Sequence, residues 1–240
     1  SIGYAKDAFH VFYEGIILKD ADPKSFEFIE NSDYAKDRKS IFYAGTKIEG
    51  IAINTFKLLP NGYAKDKNKV LYRKSIVEGA DVKTFEVIKT SGPSVYNDFN
   101  EYSGYGKDKK NIYYYDKVVH DVDKATFTIM NAGMSKDKNH VIVGSRISEY
   151  MDPETLELFS EIYYLKDKNN VYFIYEPMKD IDLPSFVYVG KGYIKDKYKV
   201  YYLGKPVEGA DVETFSASKV GDAEDKNFYY FGGAKMLGGK

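Results

Sequence analysis

A chain of 240 residues with 35 basic and 36 acidic side chains has a formal net charge of -1, which excludes a partner chosen by bulk electrostatic attraction, nucleic acid and anionic lipid included. The absence of cysteine excludes disulfides, iron–sulfur clusters and thiolate zinc sites, and no run approaches the roughly 18 apolar residues of a membrane-spanning helix. With 24 Tyr and 15 Phe against 7 Pro and no Trp, the usage favours strands and is too aromatic for a disordered chain.

The chain starts in mid-phrase at "SIGYAKD", which leaves room for a leader, and no signal peptide is visible in it. From there one phrase recurs. A Lys-Asp pair places aspartates at Asp7, Asp37, Asp66, Asp108, Asp137, Asp167 and Asp196, and Glu-Asp places an eighth at Asp225. A second mark, Thr-Phe or a close variant, ends at Phe26, Phe56, Phe85, Phe127, Leu156, Phe186 and Phe215, each 19 residues after its own aspartate. Such constancy defines a repeat of 29–30 residues, and a repeat too small to bury its own core must pack on its neighbours.

Within a unit, "YAKD" and "KVYY" or "NVYF" flank a short polar stretch, which predicts a hairpin. The aspartate is placed to start its turn by accepting from a backbone N–H two residues on. Both alternating positions of the second strand are large and apolar, Leu71 and Tyr72 for example, as expected where neighbours cover both faces. Next comes "GTKIEG" or "GKPVEG", read as a turn and a short extension. Then comes D-x-x-[ST]-[FL], in which Asp caps a single helical turn and a following Pro supports it. The second unit has Ala52 where the others have Asp. "FEFI", "FKLL", "FEVI" and "FVYV" read as a strand leading into the next "YAKD", so one unit is a meander of about three strands.

The spacing from Asp66 to Asp108 leaves an insertion, "SGPSVYNDFNEYSG", Ser91 to Gly104. Its Tyr96, Phe99 and Tyr102, among Asn, Ser, Gly and Asp, have the composition of a binding loop; a plain surface loop is the bland alternative. The fifth unit departs from the pattern at Met134, Val143, Arg146 and Leu156. Altogether the features predict an all-β single domain over 1–240, seven meander units and a partial eighth, in an open array or solenoid-like stack. A closed β-propeller is the rival, although 29–30 residues are few for a four-stranded blade.

The motifs "DKNFYY", at 225–230, and "DKNNVYF", at 167–173, resemble those of the DKNYY repeat family, and the resemblance extends over nearly the whole chain. It implies a bacterial repeat architecture, leans toward the cell envelope or surface, and carries over no catalytic residues.

Candidate chemistry is sparse. "DKN" offers two oxygens two residues apart, but interleaved lysines oppose a calcium site, and turn chemistry explains the aspartates; no metal and no cofactor are expected. His10, His120 and His140 read as exposed turn or rim residues. No phosphate loop, nucleophile elbow or H-E-x-x-H motif occurs. A chemical site is needed once, not eight times. The expectation is therefore a non-enzymatic protein-binding or scaffold module, with immunity or inhibitor proteins as one form. Glycan binding through tyrosine faces and an enzyme of unrecognised arrangement are the alternatives.

Overall fold

The computed structural model describes residues 3–89, 102–131, 133–159 and 164–236. It is all-β, with no α-helix among the described residues, and forms eight small antiparallel sheets in tandem. The second sheet shows the pattern. Glu27–Phe28, Tyr34–Lys36, Ile41–Tyr43 and Thr46–Ile48 pair in chain order, with Phe28 opposite Ala35, Ala35 opposite Phe42, and Phe42 opposite Lys47. The extension after the hairpin is thus a fourth strand, one more than the sequence predicts. Four strands fit into so few residues because most are two to four residues long. The first sheet has three strands, Tyr4–Lys6, Val11–Tyr13 and Ile16–Ile17, since no Thr-Phe strand precedes it among the described residues.

The turn between the third and fourth strands places successive residues at positive φ, such as Ala44 (φ 43) and Gly45 (φ 74), the twist-matched geometry of a two-residue hairpin. Glycine has a second reason there. A Cβ on Gly45 would lie 2.6 Å from the Tyr13 ring, which sits on this turn from the preceding repeat.

Each middle hairpin is buried on both faces. Ala64 and Leu71 pack backward with Tyr34, Ile41 and Ile48 of the second sheet, while Tyr63 and Val70 pack forward with Val77, Phe85 and Tyr113. Period-two alternation gives such a sheet two apolar faces, and these cores lie between consecutive sheets rather than within one. The Thr-Phe aromatic fills that space: Phe26 lies 5.7 Å from Tyr4 and 5.5 Å from Phe42, ring centre to ring centre.

The chain divides into two compact units, 1–137 with 144–146 and 138–143 with 147–240. In neither do the sheets close into a barrel or propeller; they follow one another as a stack. The division falls in the fifth repeat, where Met134 replaces the tyrosine of "YAKD". Next to it Ser135 stands where other repeats carry Ala35 or Ala64. It is fully buried, and its hydroxyl finds no hydrogen-bond partner among the described residues. Removing a buried unsatisfied hydroxyl relieves its desolvation cost, so Ser135→Ala is expected to stabilise the protein by about 1–2 kcal/mol in denaturant unfolding.

Candidate functional site

The recurrent phrase is structural down to its individual atoms. Asp37, Asp66, Asp108, Asp137, Asp167, Asp196 and Asp225 are 1–4% exposed. In Asp66, Oδ1 accepts from the N–H groups of Asn68 and Lys69, closing the hairpin turn. Its Oδ2 accepts from the N–H of Ala52 in the preceding repeat. Asp167 does the same with Asn169 and Asn170 on one oxygen and Asp152 on the other. One carboxylate thus turns its own hairpin and fastens the capped turn before it. Ala52 keeps this bond although it has lost the side-chain cap, because the bond uses its backbone.

The neighbouring residues are engaged as well. Lys65 and Lys195 each donate to two carbonyls of their own repeat's capped turn, Val82 and Phe85 in one case and Val212 and Phe215 in the other. The Ser or Thr of the turn accepts from the following repeat: Thr155 Oγ1 from Lys168 N–H, Thr214 Oγ1 from Lys226 N–H. The "YAKD" tyrosines reach forward, Tyr34 donating to the Arg73 carbonyl and Tyr63 to those of Gly104 and Tyr115. Burial raises the Tyr4 and Tyr164 hydroxyls to about 12, so they stay protonated donors at neutral pH.

The capping aspartates carry the one pronounced acidic shift. The Lys168 ammonium, then Thr155, lowers Asp152 from the ordinary 3.8 to about 2, and Lys226 with Thr214 does the same for Asp211. A carboxyl whose folded pKa is depressed adds stability above its unfolded pKa and loses it as pH falls toward the folded value. The melting temperature should therefore decline from about pH 4 to about pH 2. The Asp152→Asn, Asp211→Asn double variant should show a shallower decline over the same window.

What the repeat does not absorb is the insertion, which falls within the first unit. The insertion is spliced into a connection between paired strands: Glu86–Lys89 pairs with Tyr102–Lys107, with Lys89 opposite Tyr102. Of the candidate residues, Tyr96 and Phe99 lie outside the described residues. Tyr102 opens the return strand, and its side chain also lies outside the description. Two residues later the Tyr115 ring lies against Gly104, where any Cβ would collide with it. Tyr115 stacks on Tyr72 at 4.5 Å, and the Arg73 guanidinium lies 5.5 Å from the centre of the Tyr72 ring.

A cleft of about 390 Å³ opens beside this stack. Its walls are Tyr43, Tyr72 and Arg73, with the loops Asn31–Ser32–Asp33 and Pro60–Asn61–Gly62. Those loops are the counterparts, in the second and third sheets, of the connection that the insertion enlarges in the fourth. Tyr43 donates to Asp33 at 3.2 Å, so the cleft presents half-buried aromatic rings, a carboxylate and a guanidinium. The sequence marked the insertion by its broken spacing. It did not mark Tyr43, Tyr72 or Arg73, because the first two share a position that is tyrosine, phenylalanine or valine in every repeat and the third is a turn position.

Among the described residues no cluster of three or more His, Asp or Glu could hold a metal ion. His10 and His120 are exposed and His140 is half-buried. Among the described residues no helix is long and apolar enough to cross a membrane.

A family model described as the DKNYY family matches residues 1–103 and 105–234. Comparison with curated proteins and with solved structures found no match.

Proposed function

The chain belongs to the DKNYY family, and we propose that it acts as a non-enzymatic protein-binding or scaffold module. Its binding edge combines the 91–104 insertion, with Tyr96, Phe99 and Tyr102, and the Tyr43–Tyr72–Arg73 cleft. The observation that carries this reading is the stacking of Tyr115 on Tyr72 directly beside the insertion's return strand. Rigid aromatics beside a guanidinium offer contact area at small entropic cost, the composition favoured at binding hot spots. The repeated Asp, Lys, Ser/Thr and Tyr groups, by contrast, are largely committed to bonds within and between repeats. An immunity or inhibitor protein is one form of such a module, and a bacterial envelope or surface setting suits it.

A cross-linked pull-down from envelope and lysate of the source cell tests the reading. The intact chain is compared with one whose residues 91–104 are replaced by a short turn, and with Tyr72→Ala, Arg73→Ala. A partner retained by the intact chain and lost from both variants supports it. A partner retained by both variants, or none at all, overturns it. The half-buried Tyr43 and Tyr72 rings also suit stacking on sugar rings, and a glycan array without a hit removes that second reading.

A further inference from the structure

The last aromatic of one hairpin rests on the turn of the next. A Cβ on Gly45, Gly204 or Gly233 would lie 2.6, 2.5 and 2.5 Å from the rings of Tyr13, Phe173 and Tyr202, so a ring takes that seat only where the turn carries glycine. Lys74 stands at the corresponding position of the third sheet. Tyr43 is therefore denied the seat. Its hydroxyl is held by Asp33 at 3.2 Å, and the cleft of about 390 Å³ opens beside it.

Two charged groups line the cleft, Asp33 and Arg73, and they stand differently. The Asp33 carboxylate is taken by Tyr43. The Arg73 guanidinium lies 5.5 Å from the centre of the Tyr72 ring and forms no ion pair or hydrogen bond among the described residues. Burial raises the Tyr43 hydroxyl and Arg73 opposes that rise, which places the guanidinium near this ring as well. A guanidinium laid against a ring keeps its N–H edge free, and that edge matches a planar carboxylate through two parallel hydrogen bonds. Much of the remaining wall is apolar or engaged. Leu58, Leu59 and Pro60 line it, and Ser32 Oγ donates to the Ile29 carbonyl and accepts the Tyr34 N–H. An uncommitted cation above such a wall favours one carboxylate on an apolar body, whereas the hydroxyls of a sugar need several polar partners.

Resting on the protein-binding reading of this edge, we propose that the cleft takes an acidic side chain of the partner protein, Glu or Asp, together with an adjoining apolar residue. The carboxylate pairs with Arg73, and its neighbour packs on Tyr43, Tyr72 and Leu58. The volume is at the small end of the roughly 300–1,000 Å³ of ligand pockets, which suits one or two side chains. An arginine set among aromatic rings is the kind of group that dominates the energy of an interface. The Tyr115 ring joins the cleft to the insertion, stacking on Tyr72 and lying against Gly104, so a partner held by the insertion has Arg73 within its footprint.

The test is an NMR titration of the intact chain with the capped dipeptide N-acetyl-Phe-Glu-amide and with its Gln counterpart, which has the same shape without the charge. Saturable amide shifts at Tyr43, Tyr72 and Arg73 are expected with the Glu peptide, and an affinity about tenfold weaker with the Gln peptide, as loss of a charge-assisted bond would give. Arg73→Gln, at an exposed position, is expected to bind the two peptides alike. Lys74→Gly leaves every contact group in place and offers Tyr43 its seat, so it is expected to close the cleft and abolish both bindings. Equal affinity of the intact chain for the two peptides, an unchanged preference in Arg73→Gln, or absence of saturable shifts at the cleft would each overturn the proposal. So would glucuronate binding more tightly than the Glu peptide, which would make an acidic sugar the occupant. The peptides are read at the cleft itself, so their indifference to charge defeats this inference while a captured partner still upholds the protein-binding reading. A pull-down without a partner defeats that reading and leaves the titration unchanged.

Discussion

Phe215→Ala lowers stability by about 3–5 kcal/mol in denaturant unfolding, the cost of removing a buried aromatic and leaving a cavity. Phe215 is 2% exposed, and its ring lies 5.4 Å from Tyr193 in its own repeat and 5.1 Å from Tyr230 in the next. Val200, Val207 and Ala223 belong to the same buried cluster. Since two sheets contribute to the cluster, neither can collapse into the void without moving against the other. Phe85→Ala, between Tyr63 and Tyr113, should behave alike. Phe231 is 68% exposed, and its alanine variant should change stability by less than about 0.5 kcal/mol. Near-equal unfolding midpoints for all three variants would refute cores placed between repeats.

Asp167→Ala should cost a comparable amount, about 3–5 kcal/mol, by a different route. The carboxylate, 2% exposed, accepts from the N–H groups of Asn169, Asn170 and Asp152 and from the Tyr172 hydroxyl. Alanine leaves these donors facing a small void, and the buried ones lose their acceptor outright. Asp167→Asn separates the two tasks of the side chain. Its carbonyl oxygen can still close the hairpin, but its amide would face the Asp152 N–H donor to donor. Asn should therefore recover roughly half of the loss. Recovery to the parent stability would show that the bond between repeats contributes little.

The sequence made the hairpin legible because an aspartate turn is local, closed by N–H groups two and three residues on. The capped turn was legible for the same reason, with Asp182 accepting from Ser185 N–H behind a Pro-containing turn. The second oxygen was not, since Asp167 meets Asp152 only after 15 residues of intervening chain, and no short motif spans that distance. The lysine of "KD" looked like a solvated charge and is tied to two carbonyls. The fourth strand was read as an extension because Thr46–Ile48 is short and becomes a strand only through pairing with Ile41–Tyr43. At the candidate site, Tyr96, Phe99 and Tyr102 have no repeated counterpart, so composition was the only signal. Tyr72 and Tyr115 were hidden because their stacking joins two repeats.

The sequence by itself determined the repeat, its 29–30-residue period, its all-β character and the turn that each aspartate starts. Those features depend on alternation and on bonds between residues a few positions apart. Only the tertiary structure decided how repeats join. Tyr4 meets Gly45, Tyr34 meets Arg73 and Tyr193 meets Gly233 across 39–41 residues. It also decided where a cleft remains. The physical reason is that no single repeat contains its own core: partners lie one repeat away, and stacking brings them together.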